Sequence, residues 1–364
     1  NLALLRGQIG QQYAGLLPLR GHSNVQGIGT MGVKPVLGSE VLKRMEATLG
    51  VSLPASAGYD TLAGLEAAAR GDIDAALIMG GNLYGATPDA QWASQALDKI
   101  GFKCFLTTTL NKGHVHGVDD SDNLVLPVTA RDEERQPTTQ ESMFNYVRLS
   151  DGGIERLEHV RLEVDILCDI GLALLPDSSV NFTAFKQHRT IRQAIANTVP
   201  GMKDLADIDV AKREFHIHGR ILHQPHFKTP DKRARFTTRP CPTGRASADY
   251  PFTLMTVRSE GQFNTIIYEE LDSYRNTRER WAVLLNASDI ATLGLQEGGY
   301  ANLQSPQGEM QGVRVYSFDL PQGNAMAYFP EANVLIGRAS DPRSKTPAFK
   351  SVPIAITPAD SNLN

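Results

Sequence analysis

Cysteine is scarce in this chain. Only Cys104, Cys168 and Cys241 occur in 364 residues, far apart in sequence. No Cys-x-x-Cys pair is present, so neither a zinc ribbon nor an ordinary iron–sulfur loop is encoded. So few thiols fit a reducing compartment, and a cytoplasmic location is expected. An excess of basic charge is missing too: 36 Lys and Arg stand against 40 Asp and Glu, a formal net charge of −4. Nucleic acid is therefore not an expected partner. No run of about 18 apolar residues exists, so no membrane span is expected. No G-x-S-x-G occurs, which leaves a nucleophilic hydrolase with little support.

What is present is ordinary globular composition, 41% hydrophobic and 21% charged, in a chain long enough for two or three domains at about 150 residues each. Residues 254–265 are the most informative stretch. An apolar run of strand type, Leu-Met-Thr-Val, ends in Arg258 and breaks into a loop with Gly261, Gln262, Asn264 and Thr265. A cation, amides and a hydroxyl at a strand end suit a charged ligand with many oxygens. Arginine grips phosphate through paired hydrogen bonds, and glycine admits close backbone approach.

Residues 1–10 read as the tail of a helix that ends at Gly10 with no cap before it, so the chain is expected to be a piece of a longer one. Glycines punctuate residues 1–38, and Gly21-His-Ser-Asn-Val-Gln-Gly27 is either a ligand cradle or a surface loop. A helix is expected from Ser39, with Ser39 as its cap and Val41, Leu42, Met45 and Leu49 on one face. A second spans 60–70 and a third 88–100, with proline in its first turn. Between them, 72–79 reads as a buried strand ending in Gly80-Gly81-Asn82. Strands at 103–108, ending in hydroxyls at Thr107, Thr108 and Thr109, and at 123–128 follow. This alternation predicts a parallel sheet covered on both faces, with ligands at the carboxyl ends of its strands. Neither of those two turns matches G-x-G-x-x-G or a P-loop.

Further helices are expected near 157–175 and 186–199. Residues 204–247 are mixed, basic and proline-bearing, and read as a connector. They hold His216, His218, His223 and His226, which could bind a metal; with no acidic or thiol ligand beside them, exposed imidazoles on a strand and turn are the plainer reading, as for His114 and His116. From Tyr250 short strand patterns dominate, at 252–258, 299–304, 310–317, 324–329 and 349–356, with one short helix at 288–293. They predict a small closed barrel, because closure removes exposed edges.

Several segments then fall in a definite order: Pro18-Leu-Arg-Gly-His-Ser-Asn-Val-Gln-Gly27 with Met31-Gly32, Ile78-Met-Gly-Gly-Asn82 with Pro88-Asp89, Val125-Leu-Pro127, Thr138-Thr-Gln-Glu141, Thr229-Pro-Asp-Lys-Arg-Ala-Arg-Phe236, Thr256 to Thr265, the 288–299 helix and turn, and Ser344-Lys-Thr-Pro-Ala-Phe-Lys350. In this order the chain resembles the carboxy-terminal half of the molybdopterin oxidoreductases, nearest the formate-dehydrogenase-like branch, over nearly its whole length.

The resemblance implies a bis-molybdopterin guanine dinucleotide cofactor carrying molybdenum. It implies that 1–203 is the later part of an α/β dinucleotide-binding domain with a parallel sheet, 204–247 a connector, and 248–364 a six-stranded double-psi β-barrel. Asn24, Gln26 and Gly27 would face a pterin or its phosphates. Gly80, Asn82 and Thr107 would hold a guanosine diphosphate arm. Arg258, Gly261, Gln262, Asn264 and Thr265 would hold pyrophosphate or pterin, and Asn333, Phe349 and Lys350 would line the mouth of the barrel. The molybdenum ligand and any iron–sulfur cluster would lie in an amino-terminal segment of the same polypeptide, so no catalytic residue and no metal ligand is assigned. Gln262 and Phe263 stand where many relatives carry His and a small or aromatic residue. The expected partners are that segment, a small-molecule substrate and an electron acceptor. Alone, the chain is expected to be catalytically silent and to self-associate. The competing reading is a nucleotide-binding α/β module joined to an interaction barrel, with no redox role.

Overall fold

The computed structural model describes residues 1–17, 21–119, 121–142, 145–218, 224–241 and 246–359. Contacts divide the chain into two compact units, Asn1–Asp60 with Val128–Pro240, and Thr61–Pro127 with Cys241–Asn364. The division anticipated from the sequence followed chain order, with borders after 203 and 247. The contacts instead group 61–127 with the barrel region.

In that second unit the helices Thr61–Arg70 and Ala90–Asp98 pack on one face of a parallel sheet of β1 (Ala75–Met79), β2 (Phe102–Thr107) and β3 (Asp122–Pro127), in the order β1-β2-β3. Ala67, Ala68, Ala93 and Ala96 are buried, and side chains this small let the two helices pack closely. Leu65, Tyr84, Leu97, Ile100 and Phe105 form the core beneath. β1 corrects one expectation. It is not fully buried: Leu77 and Met79 are 44% and 49% exposed, because β1 is an edge strand whose alternate side chains point to an open face. Buried Lys103 ends the helix before β2, with Nζ donating to the Leu97 and Ile100 carbonyls at 3.4 and 3.1 Å and to Ser121 Oγ at 2.6 Å. Burial pushes its pKa down.

The first unit holds the helices Ser39–Leu49, Glu163–Leu174 and His188–Thr198. Its antiparallel sheet is β4 (Thr138–Ser142), β5 (Tyr146–Ser150) and β6 (Phe215–His216). Ser39 is not the cap: it is the first helical residue, the capping position is Gly38, and no side chain bonds there. The start of the 204–247 segment is more than a connector. It contributes the helix Ile208–Ala211 and β6, and Leu205, Ile208, Phe215 and Ile217 pack with Val147, Val199 and Met202.

The remaining strands are β7 (Phe252–Val257), β8 (Ala282–Leu285), β9 (Tyr300–Gln304), β10 (Glu309–Ser317), β11 (Asn324–Tyr328) and β12 (Val352–Pro358). They close into a barrel in the order β10-β8-β11-β7-β12-β9. β7 and β11 run parallel, as do β8 and β10, and the other neighbours are antiparallel. Five of these strands match the anticipated patterns; β8 was not anticipated. Its Ala-Val-Leu-Leu is buried throughout, with Val283 and Leu285 in the interior cluster and Ala282 and Leu284 in a second cluster with Tyr316, Phe318 and Leu320. A strand covered on both faces carries no alternation to read. The short helix Ala287–Thr292 is capped by Asn286, which accepts from Ser288 N at 2.8 Å, and ends before Gly294 at φ +68°. Among the described residues no helix is long and apolar enough to cross a membrane.

Leu254 is 0% exposed inside the barrel, whereas Leu77 is 44% exposed on β1. Leu254→Ala is expected to destabilise the protein by about 2–5 kcal/mol, and Leu77→Ser by under about 0.5 kcal/mol. Denaturant unfolding of both variants checks this, and equal shifts would contradict the assigned core.

Candidate functional site

The second unit brings together the strand-end turns and the barrel loop. Gly80 and Gly81 follow β1 at φ +65° and +79°. A Cβ built on either would meet nothing within 4 Å, so bare backbone faces open space there. Asn82 begins the next turn: its Oδ1 accepts from Gly85 N at 2.9 Å and its Nδ2 donates to the Thr265 carbonyl at 3.3 Å. One buried amide thus ties the strand-end turn to the barrel loop. Thr107, at the end of β2, donates its hydroxyl to the Thr109 carbonyl at 2.7 Å. His114 is buried and accepts from Asn111 N at 3.2 Å through Nδ1. Burial pushes its pKa down, which suits a neutral capping imidazole. His116 stacks on Tyr84 with ring centroids 4.8 Å apart.

The loop after β7 is held from beneath by a side chain that the sequence reading did not single out. Arg280 is 2% exposed. Its Nε donates to Glu331 Oε1 at 2.7 Å and its Nη1 to Ser259 Oγ at 2.7 Å. Its Nη2 reaches Gln262 Oε1 at 3.2 Å, the Phe329 carbonyl at 2.7 Å and Glu331 Oε2 at 3.1 Å. The guanidinium lies over the rings of Tyr268 and Tyr328, 4.3 and 4.9 Å from their centroids. Gln262 is committed to the loop as well: Oε1 also accepts from Ser259 N at 3.0 Å, and Nε2 donates to the Asn264 and Phe329 carbonyls at 2.6 and 2.7 Å. Asn264, at φ +50°, accepts from Arg258 Nη2 at 3.2 Å.

A buried carboxylate braces the far side. Asp272 Oδ1 accepts from the Glu260 and Tyr274 amides, each at 3.1 Å. Its Oδ2 accepts from Arg275 Nη1 at 2.7 Å and from the Tyr328 hydroxyl at 2.8 Å. Burial pushes the Asp272 pKa up, but the bonds from Arg275, the two amides and Tyr328 outweigh it and hold the carboxyl below the usual range. Burial and the bond to Asp272 drive the Tyr328 phenol up to about 12. The signals that could have found Arg280 and Asp272 were weak, since each sits in a charged stretch that reads as solvated surface.

Arg258, Arg275 and Lys350 line a cavity of about 680 Å³ together with Asn264, Phe329 and Phe349. Burial first, and then the Arg258 and Arg275 guanidiniums, push the Lys350 pKa down. Its ammonium donates to the Thr256 carbonyl. Among the described residues neither Arg258 nor Lys350 has a carboxylate within ion-pair distance. Crowded cations without acids favour an anion, which would restore the charge balance. Away from that cavity's lining, Thr265 Oγ1 and Asn333 Oδ1 are buried without a hydrogen-bond partner, although Asn333 Nδ2 donates to the Gly85 carbonyl at 2.7 Å. Gly261, at φ +66°, has open space where a Cβ would stand. Phe349 packs edge-on against Phe329 with centroids 5.8 Å apart.

Asn24, Gln26 and Gly27 belong to the other unit. Asn24 sits at φ +63° and its Oδ1 accepts from Glu141 N at 3.1 Å. Gly27 is buried so closely that a Cβ would lie 2.0 Å from Asn24 Oδ1, while Gln26 is half-buried. Residues 27–32 carry G-x-G-x-x-G spacing, but they lie largely in the helix Val25–Thr30 and not after a strand, so they do not form a dinucleotide loop. His216 packs against Tyr146 at 4.7 Å, His218 and His226 are exposed, and His223 lies outside the described residues. No metal-binding group of three or more His, Cys, Asp or Glu occurs among the described residues.

The depressed pKa of Asp272 fixes a sign. Its contribution is present above the unfolded value, near pH 4, and is lost as pH falls through the folded one. Asp272→Asn is therefore expected to destabilise the neutral protein by about 1–3 kcal/mol and to flatten the loss of stability below about pH 4. Unfolding free energies measured from neutral to acid pH check this, and an unchanged acid limb would contradict it.

Residues 252–353 match the family model described as the molydopterin dinucleotide binding domain. An uncharacterized oxidoreductase of Mycobacterium bovis is 34% identical over 384 residues, covering 98% of this chain and 48% of the relative. Formate dehydrogenase H of Escherichia coli is 24% identical over 402 residues, covering 98% of this chain and 52% of the relative. The solved structure of acetylene hydratase from Pelobacter acetylenicus matches with a TM-score of 0.59 at 13% identity, over 91% of this chain and 50% of that one; at that identity the likeness is one of fold. The chain spans about half the length of the curated relatives it matches. A molydopterin dinucleotide binding domain at 252–353 and similarity to named oxidoreductases along nearly all of the chain together support a place in the molybdopterin oxidoreductase family.

Proposed function

We propose that this chain is the cofactor-holding part of a larger molybdenum oxidoreductase of the formate-dehydrogenase-like branch, using bis-molybdopterin guanine dinucleotide. The observation that carries the reading is the cavity where Arg258, Arg275 and Lys350 converge, with no carboxylate among the described residues within ion-pair distance of Arg258 or Lys350. We read the six-stranded barrel as the double-psi type. When bound, the group supplies two-electron redox chemistry at its metal.

This chain's own residues bind and orient. Arg258 and Lys350 would take the pyrophosphate oxygens, with the Gly261 backbone and Asn264 beside them. Gly80 offers backbone, and Asn82 and Thr107 shape the strand-end turns for a guanosine diphosphate arm. Thr265 and Asn333, both buried, would shape the loop and the barrel mouth around the cofactor. Phe349 walls the cavity, and Gln262 works from within the loop. Asn24, Gln26 and Gly27 of the other unit would serve a pterin. The exposed apolar residues Leu77, Met79 and Leu124 offer a surface that the rest of a longer polypeptide would cover. The substrate is a small molecule, and formate is the first to test. Three unpaired cysteines fit the cytoplasm.

In the full-length protein, Arg258→Ala removes one charge-assisted grip worth about 1.5–3 kcal/mol. Cofactor retention should fall by about tenfold or more, read as molybdenum per polypeptide and as fluorescence of the oxidised pterin. Unchanged content in the variant would contradict the role given to Arg258, and absence of pterin from the parent would contradict the whole reading.

A further inference from the structure

Arg258 and Lys350 line the cavity, whereas Arg280, which holds the loop, does not. Arg258 is exposed, and its guanidinium is tethered by Asn264 Oδ1 at 3.2 Å and by the ring of Phe329 at 5.3 Å. Asn264 sits in left-handed backbone at φ +50°. That conformation is strained for a side-chain-bearing residue and persists only where its surroundings impose it. Its carbonyl is held by Gln262 Nε2 at 2.6 Å, and Gln262 is in turn held by Arg280 Nη2 at 3.2 Å. Arg280 also fixes Ser259, directly after Arg258, through Nη1 at 2.7 Å, and the Phe329 carbonyl at 2.7 Å. Both tethers of Arg258 therefore trace back to one buried guanidinium. Burying it carries a desolvation penalty of several kcal/mol, which is offset here by Glu331, three neutral acceptors and two aromatic faces.

We propose that Arg280 is a positioning residue for the anion grip: it acts through Gln262 and Asn264 to aim Arg258, without touching the ligand itself. This rests on the cofactor reading given above. Lysine cannot replace it, because a single ammonium lacks the fork that reaches Glu331, Ser259, Gln262 and Phe329 at once. Arg280 and Arg258 should then act as one unit rather than as independent contributors.

A double-mutant cycle in the full-length protein tests this, with Arg280→Lys, Arg258→Gln and the pair. The readouts are pterin and molybdenum per folded polypeptide and the rate of cofactor loss on dilution, alongside the thermal midpoint of each variant. Each single change is expected to speed cofactor loss by about tenfold, and the double change by about the same factor. A multiplicative loss of about a hundredfold, or parental retention in Arg280→Lys, would overturn the proposal. If Arg280→Lys fails to fold, Gln262→Ala replaces it in the same cycle, with the same expected and overturning results. A parent protein without pterin would instead overturn the cofactor reading.

Discussion

Two buried charges of opposite sign, Arg280 at 2% and Asp272 at 0% exposure, set the shape of everything around the candidate site. Neither could stay in the interior without a nearly complete set of partners, because an uncompensated buried ion is worth several kcal/mol against folding. The partners they gather are the site itself. Arg280 collects Ser259, Gln262, Phe329 and Glu331; Asp272 collects the Glu260 and Tyr274 amides, Arg275 and Tyr328. The loop from Arg258 onward is thereby clamped to the ends of β7 and β11, and the exposed Arg258 is left at the edge of the cavity that Lys350 also lines.

This division of labour explains how so polar a loop is held. The barrel core beneath it is aliphatic, with Leu254, Leu285, Leu303 and Ile354 buried, and supplies a scaffold without competing hydrogen bonds. The polar braces belong to the loop that leaves it, and Arg258 and Lys350 line the cavity beside that loop. Asn82 extends the same frame to the strand-end turn by bonding the Thr265 carbonyl, while Asn333 meets the Gly85 carbonyl. The strand-end glycines and the barrel loop thus share one set of supports.

Much of this could be read in the sequence, for identifiable reasons. The helices at 61–70 and 90–98 carry apolar residues at helical spacing, and the strands of the parallel sheet are apolar runs bounded by glycine and polar turns. Arg258 and Asn264 stood out because a cation and an amide at a strand end suit a charged ligand with many oxygens, whereas Lys350 followed only from the family resemblance. Arg280 and Asp272 did not stand out. They lie in Arg278-Glu-Arg-Trp281 and Glu269-Glu-Leu-Asp272, which look like solvated surface until Phe329, Tyr328 and Glu331 arrive from about fifty residues along the chain to bury them. β8 escaped for the opposite reason: it is covered on both sides and has no polar face to mark its period. Gln262 was read as a ligand-facing amide, yet both ends of its side chain serve the loop, which only the folded partners reveal.

The central claim is that Arg258 and Lys350 grip a phosphorylated cofactor. An experimental structure of the full-length protein, purified with its cofactor, measures this most directly through the distances from the Arg258 guanidinium and Lys350 Nζ to the nearest pyrophosphate oxygens. The account predicts about 3 Å for at least one of them, with Arg280 still seated beneath the loop. A cofactor whose pyrophosphate lies beyond reach of both side chains would contradict it.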